Sequence, residues 1–188
     1  MRSLVSSLLL GSALVFQGSA SAADAFTITT PAFKDGGTIA MEQVFNSFGC
    51  TGGNHSPELS WSGAPAGTKS FAVTIYDPDA PTGSGFWHWT VFNIPASVTH
   101  IPADAGGEKG AGLPAGAIQG RTDFGFSHFG GPCPPVGDAP HHYHVTVYAL
   151  KTDKLPLDAM APGALVGFYI HMNTLGKATV TGMFGRSK

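Results

Sequence analysis

Paired carboxylates in a rigid turn are the first feature of the sequence that could do chemistry. Asp77 and Asp79 lie in the stretch Asp77-Pro-Asp-Ala-Pro81, whose prolines fix the backbone. Both side chains then project in defined directions, where they can contact a ligand. Aspartate also caps turns with no further function, so the turn alone does not separate the two roles.

A histidine follows in the next strand-like run. His88 lies between Trp87 and Trp89, and strand alternation puts its ring on the face opposite both tryptophans. If Asp77 lies beside it, the carboxylate orients the ring, raises its pKa and leaves an N–H group for an anion. The alternative is a core histidine bonded to a backbone carbonyl.

A loop with adjacent glycines offers backbone donors. In Gly130-Gly-Pro-Cys-Pro-Pro135 the N–H groups of Gly130 and Gly131 lack side-chain cover, which suits a nest for phosphate or carboxylate. Pro132 and Pro135 would stiffen this rim. A rigid loop without a ligand is the alternative.

The strand after this loop carries a cluster of histidines. Alternation places His141 and Tyr143 on one face, and His142 and His144 on the other. Only the first pair can therefore share a pocket with Asp77. Because the histidines cannot converge on one point, we expect no metal site.

Many short strands must position these residues. The 26 glycines and 14 prolines separate short runs of β-branched and aromatic residues, as in a mainly β protein. Strands are predicted over residues 26–30, 70–76, 87–94, 117–119 and 143–150.

Helical periodicity occurs near the C-terminus. It predicts one helix over residues 158–177, with Pro162 in its first turns. An apolar stripe on this helix is expected to pack against a sheet. The stripe consists of Met160, Leu165, Phe168, Met172 and Leu175.

The N-terminus has the pattern of a secretory signal peptide over residues 1–22. Arg2 precedes an apolar run too short for a membrane-spanning helix, and Ala20-Ser-Ala22 forms a cleavage site. Residues 23–188 then form a single domain that is exported to the periplasm or secreted and has no membrane span.

The charge content argues against a nucleic-acid partner, and the cysteine content favours a disulfide. The 10 basic and 12 acidic side chains form no basic cluster, so no nucleic-acid partner is expected. Cys50 and Cys133 form an even pair in an exported chain, which favours a disulfide. Two buried thiols are the alternative.

The chemical segments belong to a longer series of motifs. In order, these are Ser56-Pro-Glu-Leu-Ser-Trp61, Asp77-Pro-Asp-Ala-Pro81, Trp87-His88-Trp89, Asp123-Phe-Gly125, Gly130-Gly-Pro-Cys-Pro-Pro135, Tyr143, Val147-Tyr148 and Gly185-Arg186. With this series the chain resembles a bacterial member of the phosphatidylethanolamine-binding protein family, also called the Raf kinase inhibitor protein family. The resemblance covers nearly all of residues 26–186.

This resemblance implies an antiparallel β-sandwich with a few short helices and one C-terminal helix. A pocket lies at one end of the sheet, and the peptide bond between Ala80 and Pro81 is cis. The predicted ligand-binding residues are Asp77, Asp79, His88, Gly130, Gly131, Pro132, Pro135, His141 and Tyr143.

The resemblance also implies a function. We expect a non-catalytic protein without a cofactor that binds a small anion, such as a phosphate, a phospholipid head group or a carboxylate. The expectation of kinase-inhibitor-like regulation comes from the family resemblance alone. His142 stands where relatives usually have Arg, which removes a bidentate phosphate clamp. A homodimer is compatible with bacterial relatives.

Two other function classes stay open. An enzyme would use Asp77 and His88 as a base pair, although no activated nucleophile is recognisable beside them. A protein inhibitor would act through its surface, independently of the pocket.

Overall fold

Two β-sheets and one helix form the fold in the structure, a computed structural model that describes residues 25–188. The elements are β1 (Thr27–Thr29), β2 (Gly37–Thr38), β3 (Leu59–Ser62), β4 (Ser70–Asp77), β5 (Phe86–Pro95), β6 (His100–Ile101), β7 (Ile118–Gln119), β8 (His141–Leu150), α1 (Gly163–Asn173) and β9 (Thr174–Phe184). The predicted signal peptide, residues 1–22, lies outside the described residues.

The sheets pack as a sandwich, as predicted. The smaller sheet has the order β1-β3-β6 and the larger one β2-β9-β8-β4-β5-β7. All pairs are antiparallel except β2 with β9. The five predicted strand regions appear as β1, β4, β5, β7 and β8.

Strand alternation divides the core into two layers. Phe71, Val73 and Ile75 of β4 are buried in the cluster that also contains Trp61 of the smaller sheet. Ala72, between them in sequence, belongs to a second cluster with residues of α1. The helix therefore covers the face of the large sheet that points away from the small one.

The C-terminal helix is shorter than predicted, and an unpredicted strand follows it. Pro162 has an extended backbone with ψ 155° and precedes α1 instead of lying inside it. At the other end, the Thr174 hydroxyl donates to the Ile170 carbonyl at 2.7 Å. The segment that follows contains three threonines and Val180 and pairs with β8 as β9, because β-branched side chains favour strands.

The apolar stripe does not pack on the sheet as predicted. Val166 and Ile170 make the buried contacts of α1, whereas all five stripe residues are exposed. The helix has apolar residues around its whole circumference, so its periodicity did not identify the buried face. Among residues 25–188 it is the sole helix, and the expected short helices are represented by turns such as the one around Ala40 to Val44.

The predicted disulfide between Cys50 and Cys133 is present, with Cα atoms 6.0 Å apart. It joins the loop before β3 to the loop before β8. In the described part of the chain, no helix has the length and apolar character needed to cross a membrane.

We predict that Asn93→Ala destabilises the fold by about 2–3 kcal/mol. Asn93 is buried in an irregular part of β5 with φ 60°, and its Oδ1 accepts the Leu155 N–H at 2.7 Å. Alanine loses this bond and is strained at positive φ. Asn93→Gly tolerates the conformation and should recover part of the loss in urea unfolding. Equal stability of wild type and Asn93→Ala would contradict the prediction.

Candidate functional site

A cavity of about 160 Å³ opens at one end of the large sheet, where β4 ends and β5 and β8 begin. It resembles in size an engineered cavity of about 150 Å³ that holds benzene, so a small group fits inside. Its walls are Phe48, Asp77, Ala80, Pro81, Thr82, Phe86, His88, Phe124, Cys133, Pro134, Pro135, His141 and Tyr143.

Asp77 is the most highly bonded side chain of the site. It is 2% exposed at the end of β4. Its Oδ1 accepts the N–H groups of Asp79 and Ala80 at 2.8 and 3.2 Å. Its Oδ2 accepts from His141 Nδ1 at 2.7 Å. The predicted bond between Asp77 and His88 is absent, because His141 takes that place and Asp77 fixes the turn and the start of β8.

His141 lies between two carboxylates. Beyond its bond to Asp77, its Nε2 is 3.5 Å from Oδ2 of Asp138, whose side chain is partly exposed. Both ring nitrogens therefore face acidic groups of the protein. The ring lines the cavity, but both of its nitrogens already contact carboxylates of the protein. These contacts hold β8 against the 77–80 turn.

One of the two ring nitrogens of His88 is hydrogen-bonded to the protein. Its Nδ1 is 2.7 Å from the Gly130 carbonyl, which can only accept, so Nδ1 carries a hydrogen. Burial lowers the pKa of His88 below its ordinary value, although the Gly130 carbonyl and the charge of Asp77 act in the opposite direction. The neutral ring then leaves an Nε2 lone pair at the cavity.

Tyr143 has a buried hydroxyl with no hydrogen-bond partner among residues 25–188. The residue is 1% exposed. Burial raises the pKa of the phenol well above its ordinary range, and the nearby Asp77 charge adds to this effect. The phenol therefore stays protonated, and although the Asp77 carboxylate lies near, the hydroxyl makes no hydrogen bond of normal geometry.

The glycine loop does not form the predicted anion nest. The Gly130 N–H donates to the His88 carbonyl at 3.1 Å, and the Gly131 N–H donates to Asn54 Oδ1 at 2.8 Å. Both donors are therefore occupied. A Cβ on Gly131 would lie 1.9 Å from the Gln43 carbonyl oxygen, so this glycine is needed for close packing.

The rim of the cavity lies further along the same loop. Pro135 lines the cavity as predicted, together with Cys133 and Pro134, whereas Gly130, Gly131 and Pro132 do not. Arg186 Nε donates to the Pro134 carbonyl at 2.6 Å and holds this rim in place.

Asp79 lies outside the cavity walls, contrary to prediction. Its Oδ2 is 2.7 Å from both the backbone N and Nδ1 of His142. The His142 N–H lowers the pKa of Asp79. His142 and His144 point away from the cavity, in agreement with strand alternation.

The Ala80–Pro81 peptide bond is trans, not cis as the resemblance implied, since residues 25–188 contain no cis peptide bond. The Thr82 N–H donates to the Ala80 carbonyl at 2.7 Å, which makes a tight turn around Pro81. This turn places Ala80, Pro81 and Thr82 on the cavity wall.

Aromatic walls are the part of the site that sequence reasoning missed. The His88 ring packs within 5.1–5.4 Å of the rings of Phe86, Phe124 and Tyr143. Phe48 is 71% exposed at the mouth and has φ 55°. Phe86 and Phe124 lie in or beside motifs used for the family resemblance, but no pattern in the sequence indicated Phe48.

The cavity has few charges. None of its lining residues is Lys or Arg, and Asp77 is its one acidic residue. No group of three or more His, Cys, Asp or Glu side chains suited to a metal ion occurs in the described part of the chain.

Comparisons with known proteins agree in one family. The family model described as phosphatidylethanolamine-binding protein matches residues 29–185. The Escherichia coli protein YbcL is 54% identical over 177 residues, which are 94% of this chain and 97% of YbcL. The E. coli protein YbhB is 48% identical over 151 residues, which are 80% of this chain and 94% of YbhB.

Solved structures show the same relationship. The crystal structure of E. coli YbcL, described as a new member of the mammalian PEBP family, matches with a TM-score of 0.84 and 57% identity over 85% of this chain and 98% of YbcL. A homologue from Chlamydia trachomatis, CT736, matches with a TM-score of 0.70 and 26% identity over 86% of this chain and 98% of its own.

We predict that Asp77→Ala and Asp79→Ala differ strongly in stability. Each carboxylate is 2.7 Å from a histidine Nδ1, but the Asp77 side chain is 3% exposed and that of Asp79 41%. Loss of the buried partner should cost about 3–5 kcal/mol. Loss of the exposed one should cost at most about 1 kcal/mol. Similar urea midpoints for the two variants would show that Asp77 does not organise the site.

Proposed function

The chain belongs to the phosphatidylethanolamine-binding protein family, and on this premise we propose that it is a non-catalytic binding protein for a small oxyanion head group. The head group is a phosphodiester, a singly charged phosphate monoester or a carboxylate attached to a larger molecule. The two free polar groups of the cavity, the Tyr143 hydroxyl and His88 Nε2, are the observation that carries this proposal.

A buried donor without a partner favours a ligand. Such a hydroxyl costs free energy in an empty cavity, and an oxyanion would supply the missing acceptor. His88 Nε2 can in turn accept a proton or a ligand hydrogen. The other polar side chains of the floor, Asp77 and His141, are already bonded to the protein.

The charge balance favours a singly charged ligand. Without Lys or Arg in its wall and with the Asp77 carboxylate nearby, the cavity would repel a second negative charge. Binding of a single anion instead favours protonation of His88, which then donates from both ring nitrogens. His88 and Tyr143 would thus hold the oxyanion together.

The mouth of the cavity is apolar, which suits an apolar substituent attached to the head group. Phe48, Phe124 and Pro134 form apolar walls beside the polar floor. An aliphatic or aromatic substituent would lie against them and lose water. A phospholipid head group and a phosphorylated or carboxylated small molecule share this chemistry.

The potential nucleophiles that line the cavity are hydrogen-bonded or oxidised, which favours binding without catalysis. Thr82 donates its hydroxyl hydrogen to the Gly85 carbonyl, and Cys133 is oxidised in the disulfide. His141 Nε2 faces Asp138 and not a hydroxyl. Activation of a nucleophile requires a base beside it, and these lining groups lack that arrangement. The disulfide also suits the proposed export by residues 1–22.

We predict that Tyr143→Phe weakens binding of acetate and phosphate by roughly tenfold or more, the loss of one bond to a charged group. Stability should stay equal or rise, because the unpaired hydroxyl disappears. Tyr148→Phe, on the opposite face of β8, is the matched control and should bind normally. Calorimetric titration tests this. Equal affinity in both variants would contradict the proposal and favour action through the surface.

We predict that acetate binds more tightly as the pH falls from about 8 towards 6. Burial holds the pKa of ligand-free His88 below its ordinary value, and the bound anion raises it. Between these two pKa values the complex takes up a proton, so affinity increases with acidity and levels off below the lower value.

Titrations in two buffers of different ionisation enthalpy measure this proton uptake. His88→Gln should abolish both the uptake and the pH dependence, whereas His100→Gln, on the partly exposed β6, should keep them. Thermal unfolding confirms that each variant is folded. Binding by wild type without proton uptake would overturn the assignment of His88.

A further inference from the structure

The apolar stripe along α1 is an exposed surface without a partner in the fold. Met160, Leu165, Phe168, Met172 and Leu175 are 65%, 40%, 58%, 56% and 41% exposed. Leu165, Phe168 and Met172 follow one another at intervals of three and four positions within α1, so they lie on one side of the helix. Met160 precedes the helix, and Leu175 is the second residue of β9. Single exposed apolar residues are ordinary, but three large ones on one side of a helix, with two more beside its ends, indicate an interaction surface.

Four exposed lysines, at positions 69, 151, 154 and 177, occur in chain segments near the C-terminal end of this stripe. The backbone N–H of Lys151 donates to Asn173, the last residue of α1, at 2.9 Å, and that of Lys69 donates to Leu150 at 2.8 Å. Lys177 lies in a groove with Ile170 and His171 of the helix. We call Lys69, Lys151, Lys154 and Lys177 the lysine collar.

The collar is unusual in a chain whose net charge is −2. It contains four of the 10 basic residues. Asp153 is 4.0 Å from Lys69 and offsets one of these charges, so the end of the molecule stays positive. An apolar helix face with basic residues at its border is the pattern of helices that lie in a membrane interface.

The described chain begins at the same end of the molecule. Phe26 packs on Phe71, with ring centroids 6.3 Å apart, and Phe71 is the second residue of β4. The first described residues therefore lie at the end of the molecule where the collar lies.

We propose that the apolar stripe and the lysine collar dock the protein on the surface of an anionic lipid bilayer. The stripe enters the interface between head groups and acyl chains, and the lysines contact lipid phosphates. A second copy of this chain paired in parallel would bring two positive collars together, whereas lipid phosphates neutralise them, so the bilayer is the occupant that we propose.

This docking is independent of the proposed ligand. The cavity lies beyond Asp77, at the other end of the eight residues of β4 from Ser70. A strand of that length spans about 25 Å, so the lysines of the collar lie far from the cavity and do not contribute to it. The cavity variant Tyr143→Phe should therefore dock normally.

Vesicle flotation of the full chain tests the docking. Wild type should float with vesicles of phosphatidylcholine mixed with phosphatidylglycerol, float less with phosphatidylcholine alone, and detach at high salt. Met172→Gln should lower the partition coefficient by roughly fivefold to tenfold. Its matched control is Met41→Gln, since Met41 is 53% exposed elsewhere, and it should float like wild type.

A second pair of variants tests the lysine collar. Lys151→Gln should lower the partition coefficient about fivefold, which corresponds to about 1 kcal/mol per lysine at the surface, whereas Lys109→Gln should not. Any contribution of residues 4–16 is common to all variants. Three results would overturn the proposal: equal flotation of Met172→Gln and Met41→Gln, equal flotation with both lipid compositions, or a wild-type dimer that Met172→Gln dissociates.

Discussion

Asp77 carries a carboxylate into a region that water barely reaches, and such a group is stable only when hydrogen bonds replace its hydration. Two backbone N–H groups of the following turn and the ring of His141 supply those bonds. The end of β4, the 77–80 turn and the start of β8 are therefore fixed relative to one another. The cavity exists because these three segments cannot separate without leaving the charge unpaired.

The polar residues of the cavity consequently divide into two kinds. Asp77 and His141 have their hydrogen-bonding groups satisfied by the protein and determine its shape. The Tyr143 hydroxyl and Nε2 of His88 make no hydrogen bond within the described residues, and both residues line the cavity. Because the shaping groups are bonded within the protein, the proposed recognition rests on Tyr143 and His88, and a wall without lysine or arginine favours a ligand with a single negative charge.

The sequence predicted β1, β4, β5, β7 and β8 and the division of the histidines, because alternation is a local property, but it missed β9. It failed where a contact depends on distant packing. Adjacent glycines can mean free backbone donors or close approach, and the choice at Gly131 depends on Asn54 and the Gln43 carbonyl. The partner of Asp77 was likewise set by the pairing of β4 with β8. For α1, apolar residues on every side left the buried face undetermined.

The edges of the large sheet have a consequence for how other molecules can approach. Both outer strands, β2 and β7, have two residues each. Because β2 pairs with β9 at Gly182 and Met183 alone, the outer side of β9 from Thr174 to Val180 has no strand partner among the described residues. This is the edge at which an extended peptide could continue the sheet by backbone hydrogen bonds.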